Sequence, residues 1–402
     1  MRVLIVDKFQ PAGVEELKSL GAQVTYQPDV TPDTLPAIVE QQDPDVLVVR
    51  STKVLPPVFE KAKRLSLVVR AGAGVDNIDV PAASARGISV ANCPGKNSIA
   101  VAELVWGLIL STDRRIADQT MDLRGGKWNK KEYSKARGLY GRTLGVIGVG
   151  QIAREVIQRA KAFGMRVVAW SRSLDDAKAA ELDVERAGSP IDVAKQSDVV
   201  TINVAATNDT KQLVNAAFLD AMKNGAVLIN TSRGTVVDEP ALLKAIAEKN
   251  IRAGLDVYDG EPASASGAFA SQLASNPNVT GTHHIGASTD QAQDAIAAEA
   301  VRIVRVYMET GAVPNIVNRC AKSPATRLLV VRHRNRPGVL AHVIGEIGRA
   351  NINIEEMENV IYQGAEAACA QIRLDADLPE AAMQRIRSGS EHILSVDLTT
   401  IQ

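Results

Sequence analysis

The run Gly148-Val149-Gly150-Gln151-Ile152-Ala153 limits the folds open to this 402-residue chain more than any other stretch. An apolar segment, TLGVIG, leads into it. A segment with Val156, Ile157, Ala160 and Phe163 along one side leads out, and a second apolar run, RVVAW, follows. That order predicts strand, tight turn, helix and strand, the dinucleotide-binding unit. Gly148 permits the turn and Gly150 lets backbone approach a pyrophosphate, while Gln151 and Ile152 open a helix whose N-terminus favours negative charge. A glycine-rich turn with no ligand is the competing reading, and the flanking strands argue against it. The second strand of such a unit normally ends in an acid that holds the ribose 2′-hydroxyl of NAD. Here Trp170 is followed by Ser171 and Arg172. A hydroxyl and a guanidinium suit a 2′-phosphate, so the expected cofactor is NAD or NADP, with the local chemistry favouring tolerance of NADP. In the alternative, Arg172 is solvated or stacks on adenine while NAD binds.

The same alternation runs along the chain. Strand-like runs at Val3 to Val6, Val46 to Val49, Leu67 to Arg70 and Ile88 to Ala91 alternate with helical segments, and DVVTINV, AVLIN and IRAGLDV complete a second series. The fold class is therefore α/β, with two Rossmann-like doubly wound lobes. Asn97 to Asp113 reads as a long buried helix with Asn97 and Ser98 as potential caps. An Ala-rich helical stretch from Gly286 to about Met308 carries the chain back to the first lobe. The expected domains are a discontinuous substrate-binding domain, 1–96 plus 286–318, and a dinucleotide-binding domain, 97–285. Gly311 to Ala325 has linker composition. Residues 325–402 then follow a βαββαβ, ferredoxin-like pattern, with Val339, Leu340, Val343, Ile344 and Ile347 on one helical face.

Composition narrows the partners. The 46 Lys and Arg balance 46 Asp and Glu, and aromatics are only 3%, so neither the basic footprint nor the stacking platforms of a nucleic-acid binder are present. No stretch approaches the roughly 18 uncharged residues of a membrane span. The apolar run after Met1 is too short for a signal-peptide core. Cys93, Cys320 and Cys369 show no CxxC pairing, so no metal site and no disulfide framework are expected, and a reducing, cytoplasmic setting is the simplest inference.

Five histidines are present, and two of them, His283 and His284, sit in TGTHHIGAS just past the last strands of the cofactor domain. Arg233 lies in NTSRGTVVDEP and Glu261 in LDVYDGEP, each after a strand. Ligands in open α/β sheets bind beyond the carboxyl ends of strands, so the three converge on one edge. RAGAGVDNID supplies Arg70, Ala71, Gly72 and Gly74, a glycine-rich turn whose amides can cradle a carboxylate. VVRSTKV supplies Arg50 and Lys53 as cations for an anionic substrate, with solvated surface charge as the rival reading for Lys53.

Through these motifs the sequence resembles, over nearly its whole length, the D-isomer-specific 2-hydroxyacid dehydrogenases, in particular the branch that acts on 3-phospho-D-glycerate and ends in an ACT domain. The resemblance implies that His284, placed by its spacing to Ile285-Gly286, is the base, that Glu261 orients it and that Arg233 binds the substrate. The family usually has Pro where His283 stands. Asp256 matches the partner of the nicotinamide carboxamide, with structural capping as its rival. Arg50, Lys53 and the 70–74 turn match the substrate contacts, although the segment around Lys53 is one residue shorter than usual. VRHRNRPGVLAHVIGEIG and ANINIEEM resemble an ACT domain, in which His333, Asn335 and Asn353 match contacts to L-serine. A module that serves only assembly is the alternative there.

The implied activity is oxidation of 3-phospho-D-glycerate to 3-phosphohydroxypyruvate by hydride transfer to NAD(P), the entry to serine synthesis, inhibited by serine in a homo-oligomer, dimer or tetramer. A glyoxylate or hydroxypyruvate reductase on the same scaffold is the alternative. A nucleotide-sensing corepressor is a reading of another class, against which the complete Arg233, Glu261 and His284 set argues.

Overall fold

Runs of four or five branched apolar residues make strands buried on both faces when helices cover a parallel sheet. The computed structural model describes residues 1–262 and 267–401, and its strands fall into three sheets. The first contains β1 (Arg2–Ile5), β2 (Gln23–Tyr26), β3 (Val46–Val49), β4 (Leu67–Arg70) and β5 (Ser89–Asn92), all parallel in the order β2-β1-β3-β4-β5. The second contains β6 (Thr143–Ile147), β7 (Arg166–Trp170), β8 (Glu185–Arg186), β9 (Val199–Ile202), β10 (Val227–Asn230), β11 (Arg252–Leu255) and β12 (Val279–Gly281), parallel in the order β12-β11-β10-β9-β6-β7-β8. The order reverses between β1 and β3 in the first sheet and between β6 and β9 in the second. Loops leaving the carboxyl ends diverge at those points and leave crevices.

Helix α1 (Ser98–Arg114) is apolar on most of its surface because it packs into the second sheet, where Val105, Trp106 and Ile109 meet Leu144, Val146 and Val156. Its expected cap is absent, since the Asn97 side chain makes no capping bond. The solvent-facing α2 (Ile116–Arg124) follows, and α3 (Gln151–Ala162) leaves the glycine turn with Ala153, Val156, Ile157 and Ala160 buried. Helix α4 (Asp290–Thr310), N-capped by the Thr289 side chain, presents Ile296, Ala300, Val301, Ile303 and Val304 to Val3, Ile5, Val46 and Val69 of the first sheet.

The linker expected over 311–325 is a misreading of its first half. Ile316 bridges Ala91, and the Asn318 carboxamide accepts the Val90 amide and donates to the Ile88 carbonyl, so these residues extend the first sheet's edge. The chain divides after Asn318, with Met1–Asn318 one unit and Arg319–Gln402 another. The short edge strands β2 and β12, which the sequence reading passed over, are only partly buried.

The second unit runs β13 (Arg327–Arg334), α5 (Val339–Arg349), β14 (Ile354–Ile361), β15 (Ala367–Leu374), α6 (Glu380–Ser388) and β16 (Ile393–Thr400). Its antiparallel sheet has the order β14-β15-β13-β16, the split βαβ arrangement. Leu329, Val331, Val343, Ile347, Ile372 and Ile386 form its core. Among the described residues no helix is long and apolar enough to cross a membrane.

Ile303 is fully buried beneath the first sheet. Its replacement by Ala should destabilise the protein by about 2–5 kcal/mol, read as a lower urea midpoint of the first unit.

Candidate active site

The loop after β12 holds His284 in the left-handed region, at φ 53°. Such a backbone in a non-glycine residue persists only where the surroundings impose it. Here they do: the Asp256 carbonyl accepts the His284 amide at 2.8 Å. The Asp256 carboxylate accepts the Thr282 hydroxyl at 2.6 Å and the amides of Ile285 and Gly286 at 2.9 Å each. The carboxylate of a residue only 1% exposed thus holds the loop, as the capping reading expects, while Oδ2, which accepts a single amide, keeps a further lone pair.

The imidazole so placed meets Glu261, with Nδ1 2.7 Å from Oε2. The other carboxylate oxygen, Oε1, accepts the Tyr258 amide at 2.8 Å, which fixes the acid. Burial pushes the Glu261 carboxyl up, but the bonds from His284 and Tyr258 and the charges of His284 and Arg233 outweigh it and hold it below 4.5. Glu261 is therefore a charged acceptor at neutral pH. His283 is exposed next in sequence to His284, and among the described residues no hydrogen bond engages its ring.

Arg233, in the loop after β10, contributes to that electrostatic balance. Its backbone carbonyl accepts the Asn230 side-chain amide, and its guanidinium bonds Asp76 of the first sheet's 71–79 loop. Arg70 lies beside them. Burial first, then the positive charges of Arg233 and Arg50, pull its pKa to about 10 against Asp76, and its Nε is buried without a partner. Arg50 is likewise lowered by burial, opposed by Asp7. Three arginines thus gather at the carboxyl ends of β3, β4 and β10, while Lys53 is exposed.

The amide cradle is narrower than the sequence suggested. The Ala71 amide donates to Val49 and the Gly72 amide to Arg70, which leaves the amides of Ala73, Gly74 and Val75 for an anion. A Cβ on Gly74 would lie 2.2 Å from Arg233 Nη2, so a larger residue there would displace the guanidinium. Sequence reasoning missed Asp7, at the end of β1. Its Oδ2 accepts the amides of Arg50, Ser51 and Thr52 at 2.7, 3.0 and 3.1 Å, and its Oδ1 accepts the Thr52 hydroxyl. The available signal was an acid closing a buried strand.

The turn after β6 fits a dinucleotide. Gly148 adopts φ 87°, and a Cβ there would lie 2.7 Å from the Asn203 carbonyl, so only glycine is accommodated. Nothing lies within 4 Å of a Cβ built on Gly150, the open space a pyrophosphate needs. Asn203 Oδ1 is buried beside the turn with no protein partner. Ile152 is half-buried at the helix start, and the Gln151 side chain packs on Gly95. Ser171 bonds the Ser173 amide, and Arg172 pairs with Asp209 at 3.1 Å, both largely exposed. Among the described residues no group of three His, Cys, Asp or Glu could hold a metal.

In the second unit, His333 is buried, its ring nitrogens engaged by the Arg334 carbonyl and Asn359 Oδ1. Asn335 donates to Ala365, and Asn353 bonds Glu355 and Asp375. The register pairs Arg334 with Ala367 at one end of the sheet and places Ile354 opposite Leu374 at the other. His333 and Asn335 therefore lie roughly 25 Å from Asn353, about eight residues of strand. The expected three-residue effector site is not assembled within one chain.

Residues 106–286 match the family described as D-isomer specific 2-hydroxyacid dehydrogenase, NAD binding domain. The chain is 38% identical over 320 residues to D-3-phosphoglycerate dehydrogenase of Methanocaldococcus jannaschii, covering 79% of this chain and 59% of that protein, so it spans well under two thirds of that relative's length. It is 42% identical over 270 residues to hydroxypyruvate reductase of Thermotoga maritima, covering 66% of this chain and 85% of that protein. Among solved structures, an NADPH-dependent glyoxylate/hydroxypyruvate reductase from Sinorhizobium meliloti, in complex with NADP and malonate, superposes with a TM-score of 0.68 at 28% identity, covering 80% of this chain and 99% of that one.

Replacing Asp256 by Ala leaves the buried Gly286 amide unpaired. This should cost about 1–3 kcal/mol in chemical denaturation. It should also shift or broaden the His284 ring signals in NMR spectra relative to the wild type.

Proposed function

The chain belongs to the D-isomer specific 2-hydroxyacid dehydrogenase family, and on that premise we propose that it oxidises 3-phospho-D-glycerate at C2 to 3-phosphohydroxypyruvate with NAD or NADP. The observation that carries the reading is the 2.7 Å His284–Glu261 pair beside Arg233. With Nδ1 donating to the Glu261 carboxylate, Nε2 is left with its lone pair toward the cleft and takes the hydroxyl proton. Glu261 stabilises the imidazolium that results. Arg233 bonds the substrate carboxylate and the oxygen that becomes the carbonyl. The glycine turn, the N-terminus of α3 and Asn203 hold the dinucleotide, which when bound supplies the hydride acceptor. In the reverse direction the imidazolium returns the proton.

The phosphate assignment rests on charge. Arg50 and Arg70 are half-buried and lowered by burial, and Arg70 also by the positive charge of Arg233 and then Arg50, so a dianion supplies the counter-charge that burial withholds. A second reading, reduction of hydroxypyruvate or glyoxylate, draws support from the 42% identical relative and, for NADPH, from Ser171 and Arg172. Both readings use the same His284, Glu261 and Arg233; Arg50 separates them.

We assign Arg319–Gln402 as an ACT-like regulatory unit for L-serine, acting in a homo-oligomer. Strand β14 is a sheet edge that exposes Met357, Val360 and Ile361. Antiparallel pairing of two such edges sets Asn353 of one copy beside the Asn335 end of the other, which makes the missing site. Met121, Trp128 and Tyr140 are further exposed apolar side chains that assembly could cover.

His284→Asn should lower kcat by about 10² to 10⁴-fold in a nicotinamide absorbance assay. Arg50→Ala should raise KM for 3-phosphoglycerate about tenfold or more while leaving glyoxylate turnover within a few-fold, because each lost charge-assisted bond is worth about 1.5–3 kcal/mol. Equal effects on both substrates, or none, overturn the phosphate assignment.

A further inference from the structure

Arg233 is held by contacts that leave a defined part of it free. Nε donates to Asp76 Oδ2 at 2.8 Å, Nη2 lies 2.7 Å from the same oxygen as an ion pair, and Nη1 donates to the Ser232 carbonyl at 2.7 Å. A guanidinium has five N–H donors. Two are committed to these hydrogen bonds, and each terminal nitrogen keeps at least one hydrogen to donate. Such a pair is the fork that a carboxylate, or an α-hydroxy carboxylate, accepts bidentately.

The anchor comes from the other sheet. Asp76 lies in the loop that follows β4 and Arg233 in the loop that follows β10, 157 residues apart in sequence. Gly74, in the Asp76 loop, touches Nη2 with its bare backbone, since a Cβ there would come within 2.2 Å. The Asp76 loop also carries the free amides of Ala73, Gly74 and Val75. Arg70, lowered to about 10 by burial and then by Arg233, has Asp76 as its first-ranked opposing charge. One carboxylate therefore orients the Arg233 fork, tempers its repulsion with Arg70 and ties it to the amide cradle.

We propose that Asp76 is a positioning residue. It pins the side edge of Arg233, so that the terminal edge faces the carboxylate of a 2-hydroxy acid, and the pin forms only when the 71–79 and 231–236 loops are together. This deepens the preceding reading and rests on it for the role of Arg233. A merely structural ion pair would change thermal stability and affect every ligand alike. A pin acts on the carboxylate ligand and leaves the dinucleotide, held at the β6 turn, untouched.

The test uses oxalate, a non-reacting dicarboxylate, titrated into the full-length protein saturated with NADH and read by nucleotide fluorescence. Asp76→Ala should weaken oxalate about tenfold or more. Asp76→Asn, which keeps an acceptor oxygen, should lose less, and NADH affinity should stay within about twofold in both variants. With turnover substrate the loss should fall on KM before kcat. Unchanged oxalate binding in Asp76→Ala, an equal weakening of NADH, or no oxalate binding by the wild type overturns the proposal. If Asp76→Ala does not fold, Asp76→Asn decides alone, by the same oxalate and NADH criteria. Should the wild type fail to turn over 3-phosphoglycerate while the oxalate pattern holds, the substrate reading falls and the pin stands.

Discussion

A carboxylate at the end of a strand, bonded to the amides of a neighbouring loop, is the interaction on which this site depends, and the chain uses it twice. Asp256, after β11, collects the hydroxyl of Thr282 and the amides of Ile285 and Gly286. Asp7, after β1, collects the amides of Arg50, Ser51 and Thr52. Loop amides beyond a strand have no ladder partner, and leaving them buried and unpaired is costly. A charged acceptor satisfies several at once through short, strong bonds. The result is loop geometry as fixed as a sheet's. His284 in its left-handed conformation and Arg50 at the crevice of the first sheet are both placed by an acid that need not touch a ligand.

Around these anchors the charges are arranged unequally. The imidazole has a single carboxylate, Glu261, held in its charged form. The first sheet contributes cations that repel one another, Arg70 and Arg50, with Asp76 and Asp7 as partial compensation. Such an arrangement leaves the cations incompletely compensated, the condition under which the proposed anionic substrate gains most from entering the crevice. The two groups thus differ in charge: the imidazole faces a carboxylate, and the first sheet presents partly compensated cations.

Local chemistry made much of this legible in the sequence. The Gly148–Gly150 turn announces itself because strand, glycines and helix are contiguous, and Arg233, Glu261 and His284 each follow a strand whose carboxyl end faces the crevice. The family resemblance added their roles. What stayed hidden depends on pairing over long separations. Asp76 reads as one acid in a loop until the fold brings Arg233 to it, and Asp7 reads as the end of an apolar run. The amides of Ala71 and Gly72 look free in a glycine-rich turn, yet the fold commits them to Val49 and Arg70. Asn335 and Asn353 have the right side chains for an amino-acid ligand, but which end of a sheet each occupies follows from strand register, which composition does not encode. The edge strands QVTY and VTG escaped notice because an edge buries too little to demand an apolar run.

The path of the chain between the two parallel sheets has a mechanical corollary. Backbone leaves the first sheet after β5 to begin α1, and returns before α4, which packs beneath β1 and β4. Two covalent crossings, unlike one, restrain swivelling of one sheet against the other, so the chain path itself biases any relative rotation toward the line that joins the crossings.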